Sequence, residues 1–278
     1  MSNRLATLSL LSALLMLAVL PLTQTSQAQT TLRNAESLQL RGVMFMDYNY
    51  VVSDPGDAAG DNGFGYRRVR LTSDYRVNSD MRVRVRLEAD DDSDPYVKDL
   101  FLRWDNALGE GHRIIAGISN PPAYVVSEAF YGYRSLEKTI MDREKIVSSR
   151  DFGLSFQGPV GNLQYGLMIA NNSSNGEETN RQKRVYGQIQ SEGEALTWSI
   201  GGDYAALEGG SIVTGNAFVG YRFDGFRLGL EGYFSPVRPE DETGELDRMG
   251  VSVFGVASLN DKTEAILRYD FSNRDAMG

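Results

Sequence analysis

Arginine is the residue type whose spacing in this chain most clearly points to a chemical role. Three arginines alternate with apolar residues along the segment 81–87, and two more alternate with Val69 shortly before it. A β-strand places successive side chains on opposite faces, so these arginines share one face of a predicted hairpin. The set consists of Arg68, Arg70, Arg82, Arg84 and Arg86. A row of guanidinium groups beside water attracts anions, because it lowers the electrostatic barrier for negative charge.

The strength of that effect depends on the register of the hairpin. A three-residue turn would place Arg70 beside Arg86. Because two like charges in this position destabilise the sheet, their presence would indicate a functional basic wall. A five-residue turn would instead place Arg70 beside Glu88 and Asp74 beside Arg84, so that the charges compensate each other. The sequence leaves both registers open.

A second group of cations lies in the long segment from Asn120 to Ser149. This segment is too long for a plain connection in a compact domain, which indicates a functional or inserted loop, and Tyr133–Met141 could form a short helix within it. Its cations are Arg134, Lys138, Arg143, Lys145 and, just after it, Arg150. Its acids are Glu128, Glu137, Asp142 and Glu144. We predict a constriction with opposed charges, and a self-paired surface loop is the alternative.

Residues that support catalysis or metal binding are scarce. The chain has no cysteine, and its single histidine, His112, lies in a predicted turn with no acid or nucleophile placed beside it. We therefore expect no enzymatic activity and no cofactor. The acidic run Asp90–Asp94 does not have the ligand spacing of a calcium-binding loop, and it is interpreted as a solvated turn. The net charge of −9 argues against nucleic acid as a partner.

Strands, not helices, must position these residues. From Met81 onward the chain alternates apolar residues with Arg82, Arg84, Arg86, Glu88 and Asp90. An unbroken charged row opposite an apolar row is typical of a wall between lipid and water, as in an outer-membrane barrel. About thirteen such strands can be traced between Leu38 and Phe271. The fold class predicted is all-β, a transmembrane antiparallel β-barrel with its long third loop folded inward.

Two predicted turns test this strand assignment. Asp224-Gly225 is a two-residue hairpin signal that makes Phe223 face Phe226, and the apolar positions on both sides then share one face. A three-residue turn at Asn260–Lys262 likewise places the apolar positions of the last two strands on one face. Short links are predicted after even-numbered strands and long links after odd-numbered ones, with the short links and the N-terminus in the periplasm.

The N-terminus predicts the compartment. A basic Arg4, an apolar stretch from Leu5 to Leu22 and the small residues around Ser26-Gln27-Ala28 are typical of a secretory signal peptide. Residues 1–28 are therefore predicted to be the signal and residues 29–278 the barrel, located in the bacterial outer membrane.

Several segments resemble the phosphate-selective porin family. They are Gly65–Leu71, Val97–Trp104, Gly117–Pro122, Ser149–Gly158, Gly250–Gly255 and Arg268–Asp270, and they occur in the family's order. The resemblance implies a sixteen-stranded porin, so about three strands would be missing and the chain would be incomplete at its C-terminus. The phosphate ligands of the family cannot be matched residue by residue.

These observations predict a porin, a passive diffusion channel for small and mainly anionic solutes such as phosphate. The pore-lining cations would be the five arginines of the hairpin together with Arg103 and Arg113. The expected partners are membrane lipid, lipopolysaccharide and small hydrophilic solutes, with a homotrimer as one possible assembly. The alternative is a closed outer-membrane barrel that acts as an adhesin or structural anchor through its acidic loops.

Overall fold

A computed structural model of the chain describes residues 37–54, 56–90, 93–239 and 246–273. The predicted signal peptide and part of the acidic segment near residue 240 lie outside the described residues. Within the described ranges thirteen strands form one antiparallel sheet in chain order, from β1 to β13, which confirms the predicted fold class. Among the described residues, no helix is both long and apolar enough to cross a membrane. The described residues divide into two compact units, one ending at Leu102 and one beginning at Arg103.

The first unit contains the predicted arginine hairpin. Its strands are β1 (Ser37–Tyr50), β2 (Asn62–Arg76), β3 (Met81–Asp90) and most of β4 (Ser93–Asp105). A bulge between β1 and β2 pairs Phe45 with Arg68 but Met46 with Tyr66, which leaves Arg67 as the additional residue. The bulge reverses the parity of β2, and this explains why Tyr66 and Leu71 can both expose their side chains on the apolar face.

The second unit contains the remaining strands and the inserted loop. The strands are β5 (Arg113–Ser119), β6 (Asp151–Val160), β7 (Leu163–Ala170), β8 (Arg184–Glu192), β9 (Leu196–Leu207), β10 (Gly210–Phe223), β11 (Phe226–Pro239), β12 (Leu246–Asn260) and β13 (Thr263–Ser272). The loop contains two short helices, α1 (Val125–Tyr131) and α2 (Ile140–Arg143).

The strands of the second unit have an apolar outer face and an inner face, and the loop packs on part of the inner face. On β10, Val219 is 43 % exposed whereas the preceding Phe218 is 4 % exposed. Exposed rows of large apolar side chains continue on the neighbouring strands, as at Ile200 and Leu230. Such rows are favourable in contact with lipid and costly in contact with water, as expected for a barrel wall.

Both predicted hairpin registers are confirmed. Phe223 pairs with Phe226 across the two-residue turn, and Gly225 adopts the left-handed conformation that this turn requires, with φ of 67°. In the last hairpin Val253 pairs with Tyr269, so the apolar residues share one face as expected. The turn itself differs from the prediction, because Asn260 pairs with Thr263 across the two residues Asp261-Lys262 and a bulge at Leu259 preserves the register.

The predicted alternation of long and short links is only partly correct. A long link was predicted after β9, but β9 extends to Leu207 and β10 begins at Gly210. Their link is therefore a two-residue turn, Glu208-Gly209. Hydrogen bonding between the strands continues beyond the apolar band, and hydropathy alone does not detect that extension.

The predicted helix at Tyr133–Met141 is also misplaced. The structure has α1 before this segment and α2 at its end, with turns between them. Gly132 ends α1 because it adopts a left-handed conformation, with φ of 77°, and its N–H bonds to the carbonyl of Glu128.

The inserted loop packs against the inner face of the second unit, as predicted. One buried cluster joins loop residues Tyr124, Ile140 and Met141 to Met168 and Tyr186 on the strands. A second cluster joins Val126, Phe130 and Tyr131 to strand residues Phe218, Phe254 and Val256. These contacts exclude water from apolar side chains that would otherwise face an aqueous interior, so they fix the position of the loop.

Candidate functional site

The structure selects the compensated register for the arginine hairpin. Arg70 lies opposite Glu88 and Asp74 lies opposite Arg84, the arrangement that a five-residue turn produces. The Nε atom of Arg70 donates to a carboxylate oxygen of Glu88 at 2.7 Å, and Arg84 donates to Asp74 at the same distance. The alternative register, with Arg70 beside Arg86, is therefore wrong, and Arg86 instead contacts Asp99 at 2.9 Å.

The carboxylates of this unit lie beneath the guanidinium groups. The side chains of Glu88 and Asp99 are 1 % and 0 % exposed, whereas those of the neighbouring cations range from 12 % exposed at Arg68 to 56 % at Arg41. Buried carboxylates remain charged at acceptable cost only when they are paired in this way. The surface that this face presents to water is therefore cationic, although each acid has a partner.

Cations outnumber acids within this network, which we call the arginine face. Three carboxylates, of Asp74, Glu88 and Asp99, hold the network together. The cations paired with them are Arg41, Arg68, Arg70, Arg84, Arg86 and Lys98. Among the described residues six cations contact these three carboxylates, and a fourth acid, Asp90, lies directly opposite Arg68, so cations still outnumber acids in the arginine face.

The other predicted strand cations have different surroundings. Arg82 lies opposite Arg76 at the end of the hairpin. In the second unit, Arg103 donates to Asp105 at 2.7 Å, and Arg113 lies opposite Gln157.

The predicted loop cations divide into paired and unpaired groups. Arg134 contacts Glu128 at 3.1 Å and Asp142 at 2.8 Å, so this part of the loop pairs with itself. Arg143 instead reaches Asp270 on β13 at 2.5 Å.

The remaining loop cations show that neither sequence interpretation describes the whole loop. Arg150 is buried and donates to the carbonyl of Ser149 at 2.5 Å. Lys138 and Lys145 form no ion pair with any described residue, and Lys145 is exposed. The loop therefore combines internal pairing with cations that are available to solvent.

Sequence reasoning missed the polar contacts that fasten the loop to the strands. Ser127 of α1 donates to the buried carboxylate of Glu231 on β11 at 2.7 Å. Arg184 on β8 pairs with Asp203 at 2.6 Å and also donates to the carbonyl of Ile146 in the loop. The signal in the sequence was the presence of charged residues at inward-facing positions of the strands. It could not identify their partners, because those lie far away in the sequence.

Sequence reasoning also missed an arginine pair beside the loop. Arg222 on β10 lies directly opposite Arg227 on β11. The guanidinium of Arg222 lies 4.2 Å from the ring centroid of Phe130, and that of Arg227 lies 5.4 Å from that of Tyr133. The two-residue turn between them already required this pairing, so the signal was present in the sequence.

One tyrosine in the loop is held in its neutral form. Burial raises the pKa of Tyr124 well above its usual value, and the nearby carboxylates of Asp142 and Glu128 act in the same direction. The hydroxyl of Tyr124 thus contributes polarity but no charge to the loop.

His112 contacts Tyr165, with 3.1 Å between its Nδ1 atom and the phenol oxygen. Within the described parts of the chain, no group of three or more His, Cys, Asp or Glu side chains is arranged to hold a metal ion.

Together, a meandering antiparallel sheet, an exposed apolar outer face and an inward-folded third loop define the fold of an outer-membrane β-barrel. No protein-family profile matches this sequence, and no curated protein does.

Solved structures with the same fold include the anion-selective porin from Comamonas acidovorans, with a TM-score of 0.61 and 15 % identity over 85 % of this chain and 78 % of that one. The outer-membrane expressed OmpT of Vibrio cholerae is similar, with a TM-score of 0.60 and 14 % identity over 84 % of this chain and 75 % of that one. A trimer form of in-vitro folded OmpT has a TM-score of 0.57 and 12 % identity over 86 % of this chain and 79 % of that one. At these identities the likeness shows the fold.

Proposed function

We propose that this protein is an outer-membrane porin, a passive diffusion channel for small hydrophilic solutes with a preference for anions. The observation that carries the proposal is the arginine face, where partly exposed cations lie over buried carboxylates and outnumber them. Positive groups on a wall beside water favour the entry of anions. The barrel fold supports a location in the bacterial outer membrane, in contact with membrane lipid and lipopolysaccharide.

The inserted loop supports a channel that is narrowed inside the wall. Its two helices pack on the inner face of the second unit, where Lys138 and Lys145 supply further positive charge. The resemblance in sequence to phosphate-selective porins adds phosphate as a candidate solute. The structural neighbour described as an anion-selective porin is consistent with this direction of selectivity. A homotrimer is the assembly proposed, since one similar structure is a trimer form.

A closed barrel that serves as an adhesin or anchor is the second candidate. The specific observation in its favour is the tight packing of the loop, because Phe130 and Ile140 are 3 % and 0 % exposed against the strands. No covalent chemistry is needed for either function.

Conductance in planar lipid bilayers tests the proposal. Purified protein is expected to insert with discrete current steps, and its reversal potential in a tenfold KCl gradient is expected to indicate chloride preference at ~0.1 M salt, where the Debye length is ~10 Å. A protein that inserts without conducting supports the closed barrel. A channel that conducts but prefers potassium contradicts the anion preference and leaves only the general porin function.

A further inference from the structure

The arginine pair formed by Arg222 and Arg227 differs from four other arginines of the second unit, which have carboxylate partners. Arg184 pairs with Asp203, Arg143 and Arg268 pair with Asp270, and Arg103 pairs with Asp105. In the part of the chain that the structure describes, neither Arg222 nor Arg227 has a carboxylate partner. This pair is therefore a local concentration of uncompensated positive charge.

The hairpin register places Arg222 and Arg227 side by side on neighbouring strands. Directly opposite residues on antiparallel strands have Cβ atoms about 5 Å apart, and like charges at such positions destabilise the sheet. Both side chains lie on the inner face, since the residues beside them, Phe223 and Phe226, expose their rings on the outer face. The pairing of Arg222 with Arg227 therefore lowers the stability of the sheet, which indicates a role other than stabilising the fold.

The loop holds these arginines in place without neutralising them. Arg222 lies over the ring of Phe130 and donates to the hydroxyl of Thr197 at 2.9 Å. Arg227 lies over Tyr133 and donates to the carbonyl of Tyr131 at 3.3 Å. Contacts with ring faces and neutral oxygens fix the positions of guanidinium groups but leave their charge in place.

The pair also has unused hydrogen-bonding capacity. The Nε atom of Arg227 is buried and finds no hydrogen-bond acceptor among the described residues. Arg222 is exposed on the inner face, so an anion can approach from water. The acid nearest in sequence, Asp224, lies in the exposed turn and forms no ion pair with either arginine.

We propose that Arg222 and Arg227 form a binding site for a small oxyanion, a carboxylate or a phosphate, that bridges their two guanidinium groups. Guanidinium N–H groups form a fork that matches two oxygens of one oxyanion, and a spherical anion such as chloride cannot use that geometry. The site would retain oxyanions at one end of the inserted loop. This inference goes beyond the proposed channel function. It rests on that function in one respect, because the channel would bring the solute to the site.

Isothermal titration calorimetry of the detergent-purified protein tests the site. Inorganic phosphate and succinate are the two probes, and chloride is the reference anion. We expect saturable binding of at least one oxyanion to the wild type. The double variant Arg222→Gln/Arg227→Gln should bind it about tenfold more weakly or worse, because charge-assisted hydrogen bonds are lost. The probe that binds more tightly identifies whether a phosphate or a carboxylate is the preferred oxyanion.

Arg238→Gln is the matched control, because Arg238 lies on the same strand and pairs with Asp247. It should bind oxyanion as the wild type does. If the double variant does not fold, as judged by heat-modifiable migration in SDS gels, the single variant Arg222→Gln replaces it and should show a smaller loss. Absence of saturable oxyanion binding in the wild type, or equal binding in the arginine variants, overturns the site.

The failure of the site and the failure of the channel are distinguishable. Calorimetry in detergent does not require conduction, so a protein that binds oxyanion without conducting contradicts only the channel. A protein that conducts but binds no oxyanion contradicts only the site.

Discussion

Ser127 in the inserted loop donates a hydrogen bond to Glu231 on β11, with 2.7 Å between their oxygens, and both residues are buried. A buried carboxylate depends on such donors, since it has lost its hydration. This contact therefore links the position of the loop directly to the stability of the sheet.

Ser127→Ala is expected to lower the free energy of unfolding by ~1.5–3 kcal/mol, because it removes a hydrogen bond to a buried carboxyl group. Urea titration of the protein in lipid vesicles, followed by tryptophan fluorescence, measures the change. Ser148→Ala is the control, since the Ser148 hydroxyl donates to another partly buried hydroxyl, that of Ser174, and not to a carboxylate of any described residue. Equal effects of the two changes would show that Glu231 does not depend on Ser127.

Gly220→Ala is expected to disturb the loop. A Cβ at this position would lie 2.6–2.8 Å from three ring atoms of Phe130, so the ring must move. The cost should be ~1–3 kcal/mol, as for other overpacked core sites. Gly215→Ala on the same strand is the control, because its Cβ would meet nothing within 4 Å. Limited proteolysis should cleave the loop faster in Gly220→Ala, and identical cleavage of both variants would contradict the packing.

Val85→Arg is expected to block assembly of the barrel. Val85 is exposed on the apolar face of β3, where an arginine in contact with lipid costs ~2–4 kcal/mol near the middle of the membrane. Val85→Thr, which keeps a similar shape without charge, should assemble. The fraction folded after dilution from urea into lipid vesicles measures the difference. Normal folding of Val85→Arg would mean that this face does not contact lipid.

Arg41→Gln is expected to weaken anion preference. Arg41 is the most exposed cation of the arginine face, and its partner Asp74 keeps Arg84 when it is removed. The shift in reversal potential should be larger at ~0.1 M salt than at ~1 M, where the Debye length falls to ~3 Å. Arg238→Gln provides the control. A shift that does not depend on salt would argue against an electrostatic origin.

Cysteine labelling of intact cells tests the orientation of the strands. Asn175 lies in the long link between β7 and β8, whereas Asp261 lies in the turn between β12 and β13, at the opposite end of the sheet. The chain has no cysteine, so in single Asn175→Cys and Asp261→Cys variants the introduced cysteine is the only residue that a thiol reagent labels. Labelling at position 175 but not at 261 is expected, and the reverse result would invert the orientation.

The sequence by itself determined the strands and the faces they present. Alternation with a period of two depends only on the geometry of a single strand, and it correctly separated Val219 from Phe218. The two-residue turn Asp224-Gly225 likewise determined its own register, because short turns leave few alternatives.

Only the tertiary structure decided how the charges are arranged. Two turn lengths were compatible with the arginine hairpin, and the choice between Glu88 and Arg86 as the residue opposite Arg70 follows from the ladder as a whole. Contacts such as Ser127 with Glu231 join residues 104 positions apart. Local periodicity carries no information about such pairs, because they depend on which strands and loop segments meet on the inner face.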